Sequence, residues 1–186
     1  MQLSDIKKNL LTLRLKLKFL LPCHAAMVFN ALQNELIYQY IPEEPPTLDN
    51  LKRRYAFLTN GLSPDQSEYW LNWVVFRRTD DMPIGTFQVS IKPDVEGSFA
   101  YIIFPDYWRQ GFASEMTRAM FDHVFELGVV PRLYAEIDTR NTPSIALVES
   151  LGLTRGALSR DTDFFDGETS HEYTYSMTKS DWLSRS

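Results

Sequence analysis

Apolar and polar residues alternate near the amino-terminal end of the sequence. Over residues 11–19 the apolar positions are Leu11, Leu13, Leu15, Leu17 and Phe19, and the polar positions between them are Thr12, Arg14, Lys16 and Lys18. A period of two is typical of a β-strand with one buried face. We therefore interpret this basic stretch as a strand whose charged side chains face solvent, and not as the charged end of a secretory signal.

Apolar residues then recur every three or four positions, which is the spacing of a helix with one buried face. The first such helix is predicted to begin at Pro22 and to end near the prolines Pro42, Pro45 and Pro46, with apolar positions at Ala26, Phe29, Leu32, Leu36 and Ile37. A second helix is predicted over residues 48–58, because Thr47 can cap its first turn.

Alternation returns in the middle of the chain and predicts further strands, separated by turn residues and by two helices. An additional strand over residues 155–159 is an open alternative. The elements predicted after residue 58 are strands over 69–78, 83–91 and 97–104, a helix over 113–127 ending at Gly128, a strand over 132–138, a helix between Asn141 and Gly152, and a strand over 171–178.

This order of elements predicts an α+β fold. Helices interrupt an otherwise hairpin-connected run of strands, so we expect a mixed central sheet of about six to seven strands, flanked on both faces by about four helices. A sandwich or a doubly wound parallel sheet fits the order less well. A length of 186 residues suits one domain, and residues 1–186 are assigned to a single domain.

Composition and charge narrow the classes of partner. A formal net charge of −5 argues against a general nucleic-acid-binding protein and mildly favours a cationic substrate. The single cysteine, Cys23, cannot form an intramolecular disulfide, which fits a reducing compartment and makes the cytoplasm the expected location. No apolar run approaches the roughly 18–20 residues of a membrane-spanning helix, so no membrane partner is expected.

The stretch YWRQGFASEM, residues 107–116, places a glycine and a small residue at the start of a predicted helix. The first N–H groups of a helix lack partners within it, and the helix dipole places about half a positive charge beside them. Because Gly111 and Ala113 have almost no side chain, a diphosphate could approach this backbone, with Arg109 and Gln110 as donors at the rim. The alternative is that Gly111 only forms a tight turn and Ala113 only packs against the sheet.

Other motifs for phosphate, metal or nucleophile chemistry are absent from the sequence. Neither GxxxxGK[ST] nor a GxGxxG after a strand occurs, and there is no GxSxG elbow. The histidines His24, His123 and His171 lack the spacing of metal ligands. No metal is therefore expected.

A second group of polar residues lies in EIDTRNTPSIALVESLGL, residues 136–153. Glu136 and Asp138 end a predicted strand. Asn141 and Ser144 are three residues apart and so share one face at the start of the next helix. The alternative is a plain helix cap, in which Asn141 satisfies a free N–H group and Ser144 has no further role.

Together, the segments AYIIFPDYWRQGFASEM and LYAEIDTRNTPSIALVESLGL resemble the Gcn5-related N-acetyltransferase (GNAT) superfamily, in the branch of the Rim-type ribosomal-protein N-terminal acetyltransferases. The other segments follow in that branch's order, so the resemblance covers essentially the whole chain. It implies a GNAT-like fold with acetyl-CoA as co-substrate. The residues that the resemblance assigns to acetyl-CoA are Ile102, Ile103, Phe104, Arg109, Gln110, Gly111, Phe112, Ala113, Ser114 and Asn141.

The sequence departs from this family at positions that carry chemistry. The branch often has a carboxylate two residues before a glycine, and this chain has Ser98 and Ala100 there. Many members have a tyrosine seven residues after the asparagine, as the acid for the leaving thiolate, and this chain has Val148 there. The usual base and the usual acid are therefore missing from their positions.

The expected reaction is direct attack of an amine on the acetyl group in a ternary complex. Holding both substrates in one site can lower the barrier by about 7–11 kcal/mol. A backbone N–H on the strand around Ile102 to Phe104 is expected to bind the developing oxyanion. We expect a water chain to Glu136 or Asp138 to remove the amine proton, and Ser144 to protonate the thiolate.

The stretch YQYIPEEPP is the candidate acceptor groove, with Tyr38, Tyr40, Glu43 and Glu44 as residues that could hold a cation; a solvated loop is the alternative. An α-amine, with a pKa of about 8, needs a weaker base than a lysine. The sequence therefore predicts an N-acetyltransferase, monomeric or homodimeric, that modifies a protein N-terminus or a small amine. Two alternatives stay open: a non-catalytic acyl-CoA-binding module, and a small-molecule acetyltransferase acting on an antibiotic or a polyamine.

Overall fold

The sheet at the centre of the protein has eight strands in the part of the chain that the computed structural model describes, residues 6–165 and 167–185. The spatial order is β1-β2-β3-β4-β5-β6-β8-β7, and among these described strands only β5 and β6 are parallel neighbours. The strands are β1 Leu10–Leu11, β2 Leu15–Phe19, β3 Tyr69–Arg77, β4 Pro83–Lys92, β5 Glu96–Ile103, β6 Arg132–Asp138, β7 Thr154–Phe165 and β8 Glu168–Thr178.

Five α-helices connect or follow these strands within the described ranges, together with short 3-10 turns at Ala31–Gln33, Glu35–Tyr38 and Pro105–Tyr107. None of these helices is long and apolar enough to cross a membrane. The helices are α1 His24–Val28, α2 Leu48–Leu58, α3 Phe112–Leu127, α4 Thr142–Ser150 and α5 Lys179–Leu183.

The mixed α+β architecture is confirmed, and several elements have the predicted bounds. Helix α2 begins after Thr47, whose side chain accepts a hydrogen bond from the Asn50 N–H at 3.2 Å, as expected for a capping threonine. Helix α3 ends at Gly128, which adopts a left-handed conformation with φ of 70°. Strand β6 covers the predicted residues 132–138.

Other predicted elements were wrong in length or number. The strand expected over residues 11–19 is two strands, because the Thr12 N–H donates to the Leu15 carbonyl at 3.0 Å and closes a turn between β1 and β2. The helix expected from Pro22 to the proline cluster is only α1 and two 3-10 turns, since Asn34 is extended with ψ of 114° and interrupts it. The optional strand at 155–159 is the full strand β7.

Apolar side chains pack on both faces of the sheet. Helices α3 and α4 cover one face, where Met116, Met120 and Phe121 of α3 are fully buried. The other face packs against α1 and α2, with Tyr55 and Phe76 at the contact. Each buried side chain of this size contributes about 1.5–3 kcal/mol by leaving water, so the two layers hold the sheet between them.

The parallel strands β5 and β6 separate towards their carboxyl ends. They pair only at Gly97 with Leu133 and at Ser98 with Tyr134, in the part of the chain that is described. The remaining residues of β5 still pair with β4 on the other side. A wedge-shaped gap therefore opens in the middle of the sheet, between β5 and the end of β6.

Candidate functional site

The gap between β5 and β6 exposes the backbone of β5. The Phe104 N–H donates to the Ile84 carbonyl at 2.9 Å, so even-numbered residues of β5 point their backbone groups towards β4. Odd-numbered residues, among them Phe99 and Tyr101, point theirs towards the gap. The carbonyl of Ile103 accepts a hydrogen bond from the Trp108 indole at 2.6 Å, whereas the Ile103 N–H, like those of the other odd-numbered residues, faces the gap.

This alternation corrects the expected backbone donors. Of the three residues predicted to contact the cofactor through the strand, Ile102 and Phe104 direct their N–H groups to β4. The side chain of Ile102 still lines the cavity described below. Only Ile103 remains as a candidate oxyanion donor among the three.

The loop before α3 turns its backbone with two left-handed residues. Arg109 has φ of 60°, and Gly111, at the start of the helix, has φ of 77°. Within the described residues no side chain caps this helix start, so the first N–H groups of α3 keep no side-chain partner. A Cβ on Gly111 would come within 4 Å of one neighbour only, Arg14 Nη2 at 3.5 Å. The predicted diphosphate-binding backbone at residues 109–114, called the phosphate seat below, is therefore accessible to a ligand.

The other predicted residues of this seat have different surroundings. The Phe112 side chain is buried in the core beneath the helix start, and Ala113 packs against the same core. Gln110 donates through Nε2 to the Asp106 carbonyl at 3.2 Å. Arg109 is exposed and Ser114 is partly exposed, so both can reach a ligand at the helix start.

A cavity of about 610 Å³ lies on the face of the sheet opposite α3. Residues from the sheet, from α2 and from the loop before it form its wall. It brings together nine of the residues predicted for the site, namely Tyr38, Tyr40, Glu43, Glu44, Ile102, Glu136, Asp138, Asn141 and Ser144. The residues of the proposed phosphate seat, 109–114, do not line this cavity.

Tyr101 is a candidate site residue that sequence reasoning missed. Its phenol donates a hydrogen bond to Ser144 Oγ at 3.2 Å, and both residues line the cavity. Burial raises the pKa of Tyr101, although the bond to Ser144 opposes the shift, so the phenol stays protonated at neutral pH. The only signal in the sequence was a polar-tipped tyrosine within the apolar run FAYIIF.

The helix start at Ser144 is fixed by Asn141, as predicted. The Asn141 side chain accepts a hydrogen bond from the Ser144 N–H at 3.2 Å. Val148, one turn further on, is fully buried in the core. The position where many GNAT members have a tyrosine is therefore packed into the core and does not line the cavity.

Asp138 does not have the surroundings of a general base. Its side chain is 2% exposed, forms an ion pair with Arg140 at 2.8 Å and accepts a hydrogen bond from Ser170 Oγ at 2.8 Å. Burial alone would raise the pKa of Asp138, but the bonds from Arg140 and Ser170 outweigh it and the pKa is lowered. The Asp138 carboxylate is thus engaged in holding the end of β6, which favours Glu136 of the two predicted proton acceptors.

Glu136 and Glu172 form the acidic part of the cavity wall. The pairing of Asp138 with Glu172 between β6 and β8 places Glu136 and Glu172 on the same face of the sheet. Burial raises the pKa of Glu172, and the negative charges of Glu136, Asp163 and Asp138 raise it further. Sequence analysis did not identify Glu172, because its neighbour in space is on another strand.

The predicted acceptor residues meet the cavity from the loop before α2. The Tyr38 phenol donates to the Leu32 carbonyl at 3.0 Å, and burial raises the pKa of Tyr38. Glu43 and Arg54 form an exposed ion pair at 3.3 Å. Glu44 is exposed and Tyr40 is partly buried. This wall therefore combines aromatic rings with charges of both signs.

Among the described residues, no group of three or more histidine, cysteine or carboxylate side chains is arranged to hold a metal ion. The polar groups of the cavity are instead hydroxyls, amides, carboxylates and the guanidinium groups of Arg53 and Arg54. Such groups can bind an amine and move a proton.

Comparison with known proteins identifies the family. A family model described as Acetyltransferase (GNAT) domain matches residues 14–154. The uncharacterized N-acetyltransferase p20 of Bacillus licheniformis is 29% identical over 111 residues, which are 59% of this chain and 62% of that protein. The [ribosomal protein bS18]-alanine N-acetyltransferase of Escherichia coli (strain K12) is 30% identical over 113 residues, 59% of this chain and 74% of that protein.

Solved structures share the fold. RimL, a ribosomal L7/L12 α-N-protein acetyltransferase in complex with coenzyme A, has a TM-score of 0.81 at 14% identity, over 92% of this chain and 98% of that one. The spermidine N-acetyltransferase from Vibrio cholerae, in complex with CoA and spermine, has a TM-score of 0.77 at 22% identity, over 91% and 98%. Because the family match spans residues 14–154, well over half of the sequence, this chain belongs to the GNAT acetyltransferase family and is an N-acetyltransferase.

Proposed function

We propose that the protein transfers the acetyl group of acetyl-CoA to a primary amine, either the N-terminus of a protein or a small amine, by direct attack in a ternary complex. The observation that carries this proposal is the gap in the sheet between β5 and β6. An open helix start lies on one side of it, and an acidic cavity lies on the other. A donor and an acceptor can thus approach one point from opposite faces of the sheet.

The donor side suits a pantetheine arm and a diphosphate. The backbone groups of Phe99 and Tyr101 and the N–H of Ile103, which face the gap, can pair with an extended amide chain as another strand would. The first N–H groups of α3, beside the left-handed Gly111, can bind the diphosphate with the help of the helix dipole. Arg109 and Ser114 lie within the same loop and helix start as additional donors.

The acceptor side suits an ammonium group that loses one proton before it reacts. We propose that Glu136 receives this proton through water and that Glu172 shares the negative charge of the site. The paired carboxylates favour a cationic acceptor. An α-amine, whose pKa is about 8, can be deprotonated by a weaker base than a lysine side chain requires.

The leaving thiolate needs a proton, and we propose that Ser144 supplies it. Because Tyr101 donates to Ser144 Oγ at 3.2 Å, it occupies a lone pair of this oxygen and leaves the serine hydrogen free to point elsewhere in the cavity. Acetyl transfer then forms the bond from nitrogen to the acetyl carbon and breaks the bond from that carbon to sulfur. The serine hydrogen passes to sulfur, and the phenol hydrogen of Tyr101 refills the serine oxygen. The second proton that nitrogen loses as the amide forms returns to the Tyr101 phenolate through water.

A polyamine is the second candidate acceptor. It is favoured by the two neighbouring carboxylates Glu136 and Glu172, which could hold ammonium groups of one chain. Relatives of both types exist, one acting on ribosomal protein bS18 and one of similar fold on spermidine.

Calorimetric titration with acetyl-CoA, followed by turnover on a panel of peptides and amines, tests the proposal. The panel contains short peptides with free and blocked N-termini, spermidine, and an aminoglycoside. We expect micromolar binding of acetyl-CoA and release of CoA with one acceptor class. Binding without turnover on any acceptor would favour a non-catalytic acyl-CoA-binding module, and a folded protein that does not bind acetyl-CoA would refute the donor site.

A further inference from the structure

A charged cluster joins the turn between β1 and β2 to the first turn of α3. Glu115 accepts hydrogen bonds from Arg14 Nε at 2.6 Å, from the Arg14 backbone N–H at 2.8 Å and from Thr12 Oγ1 at 2.5 Å. Thr12 Oγ1 in turn accepts from the Leu15 N–H at 2.9 Å. The carboxylate of Glu115 is thus held by one short segment that is about 100 residues away in sequence.

Arg14 also reaches past Glu115 to the loop before the helix. Its Nη1 donates to the Gln110 carbonyl at 2.9 Å, and its guanidinium lies over the Phe112 ring, 4.5 Å from the centroid. Its Nη2 is the atom nearest to the position of a Cβ on Gly111. One side chain therefore touches the residues before and after Gly111 and lies against Gly111 itself.

These contacts fix the orientation of the peptide between Gln110 and Gly111. No cis peptide occurs in the described residues, and in a trans peptide the N–H points opposite to the carbonyl. Since the Gln110 carbonyl points to Arg14, the Gly111 N–H points away from Arg14. It then joins the free N–H groups at the start of α3, which is the geometry that an anion needs.

We propose that Arg14, held by Glu115, is a positioning residue that sets the backbone orientation of the diphosphate seat. This inference rests on the proposed use of acetyl-CoA. Arg109 holds a left-handed φ of 60°, a conformation that costs a residue with a side chain some energy, so this loop needs an external tether to stay in place. The link through Arg14 to the Gln110 carbonyl provides one.

The cluster also controls the charge beside the seat. Burial alone would raise the pKa of Glu115, but the hydrogen bonds from Thr12 and Arg14 lower it, so Glu115 is ionised at neutral pH. In the wild type the Arg14 guanidinium compensates this charge. Without Arg14, a bare carboxylate would remain in the first turn of the helix, where it would repel the phosphates of a ligand.

Arg14→Gln tests the inference, with Arg78→Gln as the matched control. Arg78 holds the same turn, because its Nη1 donates to the Thr12 and Leu13 carbonyls, at 2.6 Å and 3.1 Å. Its described hydrogen bonds do not involve the loop before α3. The Arg14 side chain is 43% exposed, and exposed ion pairs contribute little to stability, so both variants are expected to fold.

Each protein is titrated calorimetrically with CoA and with 3′-dephospho-CoA, after its thermal unfolding has been recorded. We expect Arg14→Gln to weaken the binding of both ligands by about 10-fold to 100-fold, as for loss of a charge-assisted contact, while Arg78→Gln binds like the wild type. Arg14→Lys, which keeps the charge but lacks the forked guanidinium, should lie between Gln and the wild type. It also serves as the test if Arg14→Gln does not fold.

Three results would overturn the inference. Wild-type affinity for CoA in both Arg14 variants would show that the cluster does not set the backbone orientation of the diphosphate seat. A loss for CoA but not for 3′-dephospho-CoA would mean that Arg14 contacts the 3′-phosphate instead. An equal loss in Arg78→Gln would assign the effect to loosening of the β1–β2 turn. A folded wild-type protein that binds neither ligand would instead refute the proposed function.

Discussion

Replacing Gly111 with aspartate is the most direct perturbation of the proposed diphosphate seat. Gly111 has φ of 77°, where a residue with a Cβ is strained by about 1–3 kcal/mol, and aspartate and asparagine tolerate this region better than most residues. Among the described residues, a Cβ at this position meets only Arg14 Nη2, at ordinary contact distance. The Gly111→Asp side chain therefore fits sterically, and the protein should fold with a modest loss of stability.

The expected loss of affinity follows from Coulomb's law. The new carboxylate would lie roughly 6 Å from a diphosphate at the helix start, and two unit charges at that distance repel by about 3 kcal/mol at an effective dielectric constant of about 20. The second phosphate charge increases this value, and salt reduces it. A net 3 kcal/mol corresponds to about a 100-fold weaker affinity for acetyl-CoA.

Gly111→Asn separates charge from strain, because asparagine has the shape of aspartate and tolerates the same backbone conformation without the charge. Calorimetric titration of acetyl-CoA into the wild type, Gly111→Asn and Gly111→Asp is the assay, with urea unfolding to confirm that all three fold. We expect the affinity to fall modestly with asparagine and by about 100-fold more with aspartate. Equal affinity of Gly111→Asp and the wild type would refute a diphosphate seat at this helix.

The cavity supports three further predictions. Tyr101→Phe should lower kcat and leave the KM for acetyl-CoA unchanged in steady-state kinetics, because loss of the phenol leaves the Ser144 hydroxyl free to rotate. An unchanged kcat would exclude the phenol from catalysis. Glu172→Gln should raise the KM for a cationic acceptor and leave acetyl-CoA affinity unchanged in calorimetry, and the reverse pattern would assign Glu172 to the donor side. The folded-state pKa of Asp138 is lowered, so its stabilisation is present above its unfolded pKa of about 3.9 and is lost as pH falls through the folded pKa. Asp138→Asn should therefore cost about 2 kcal/mol in urea unfolding at pH 7, and this cost should shrink as the pH is lowered through the folded-state pKa; a cost that does not change with pH would exclude the ionic contribution.

The fold could be predicted where a segment carries its own boundaries. Helix α2 has a capping threonine before it, and α3 has a glycine after it, so local chemistry fixes the start of α2 and the end of α3. Strand β6 combines alternation with the turn that follows at Arg140. Such signals depend on neighbours in sequence, and these elements kept their predicted bounds.

Elements that depend on contacts distant in sequence were predicted less well. Strand β7 pairs with β8 at the edge of the sheet, and most of its residues are exposed, so it lacks the alternation that marks a half-buried strand. The stretch after α1 has helical spacing, but its residues Leu32 and Ile37 pack against α2 through two separate 3-10 turns. Helical periodicity therefore predicted which residues are buried in this stretch, but not the conformation of its backbone.

Ser98 and Val148 stand at two positions where GNAT members often have a catalytic group, and neither residue lines the cavity. The cavity instead receives the carboxylates of Glu136 and Glu172 from β6 and β8 and the phenol of Tyr101 from β5, which we propose as the groups that serve the reaction. Val148 is fully buried, so a tyrosine there would have to displace core packing, while Tyr101 meets Ser144 without that change. A reaction needs a proton acceptor and a proton donor at the right place in space, whichever element supplies them. The absent motif residues therefore favour relocated catalytic groups over a loss of catalysis, and Tyr101→Phe and Glu172→Gln are the variants that distinguish these two explanations.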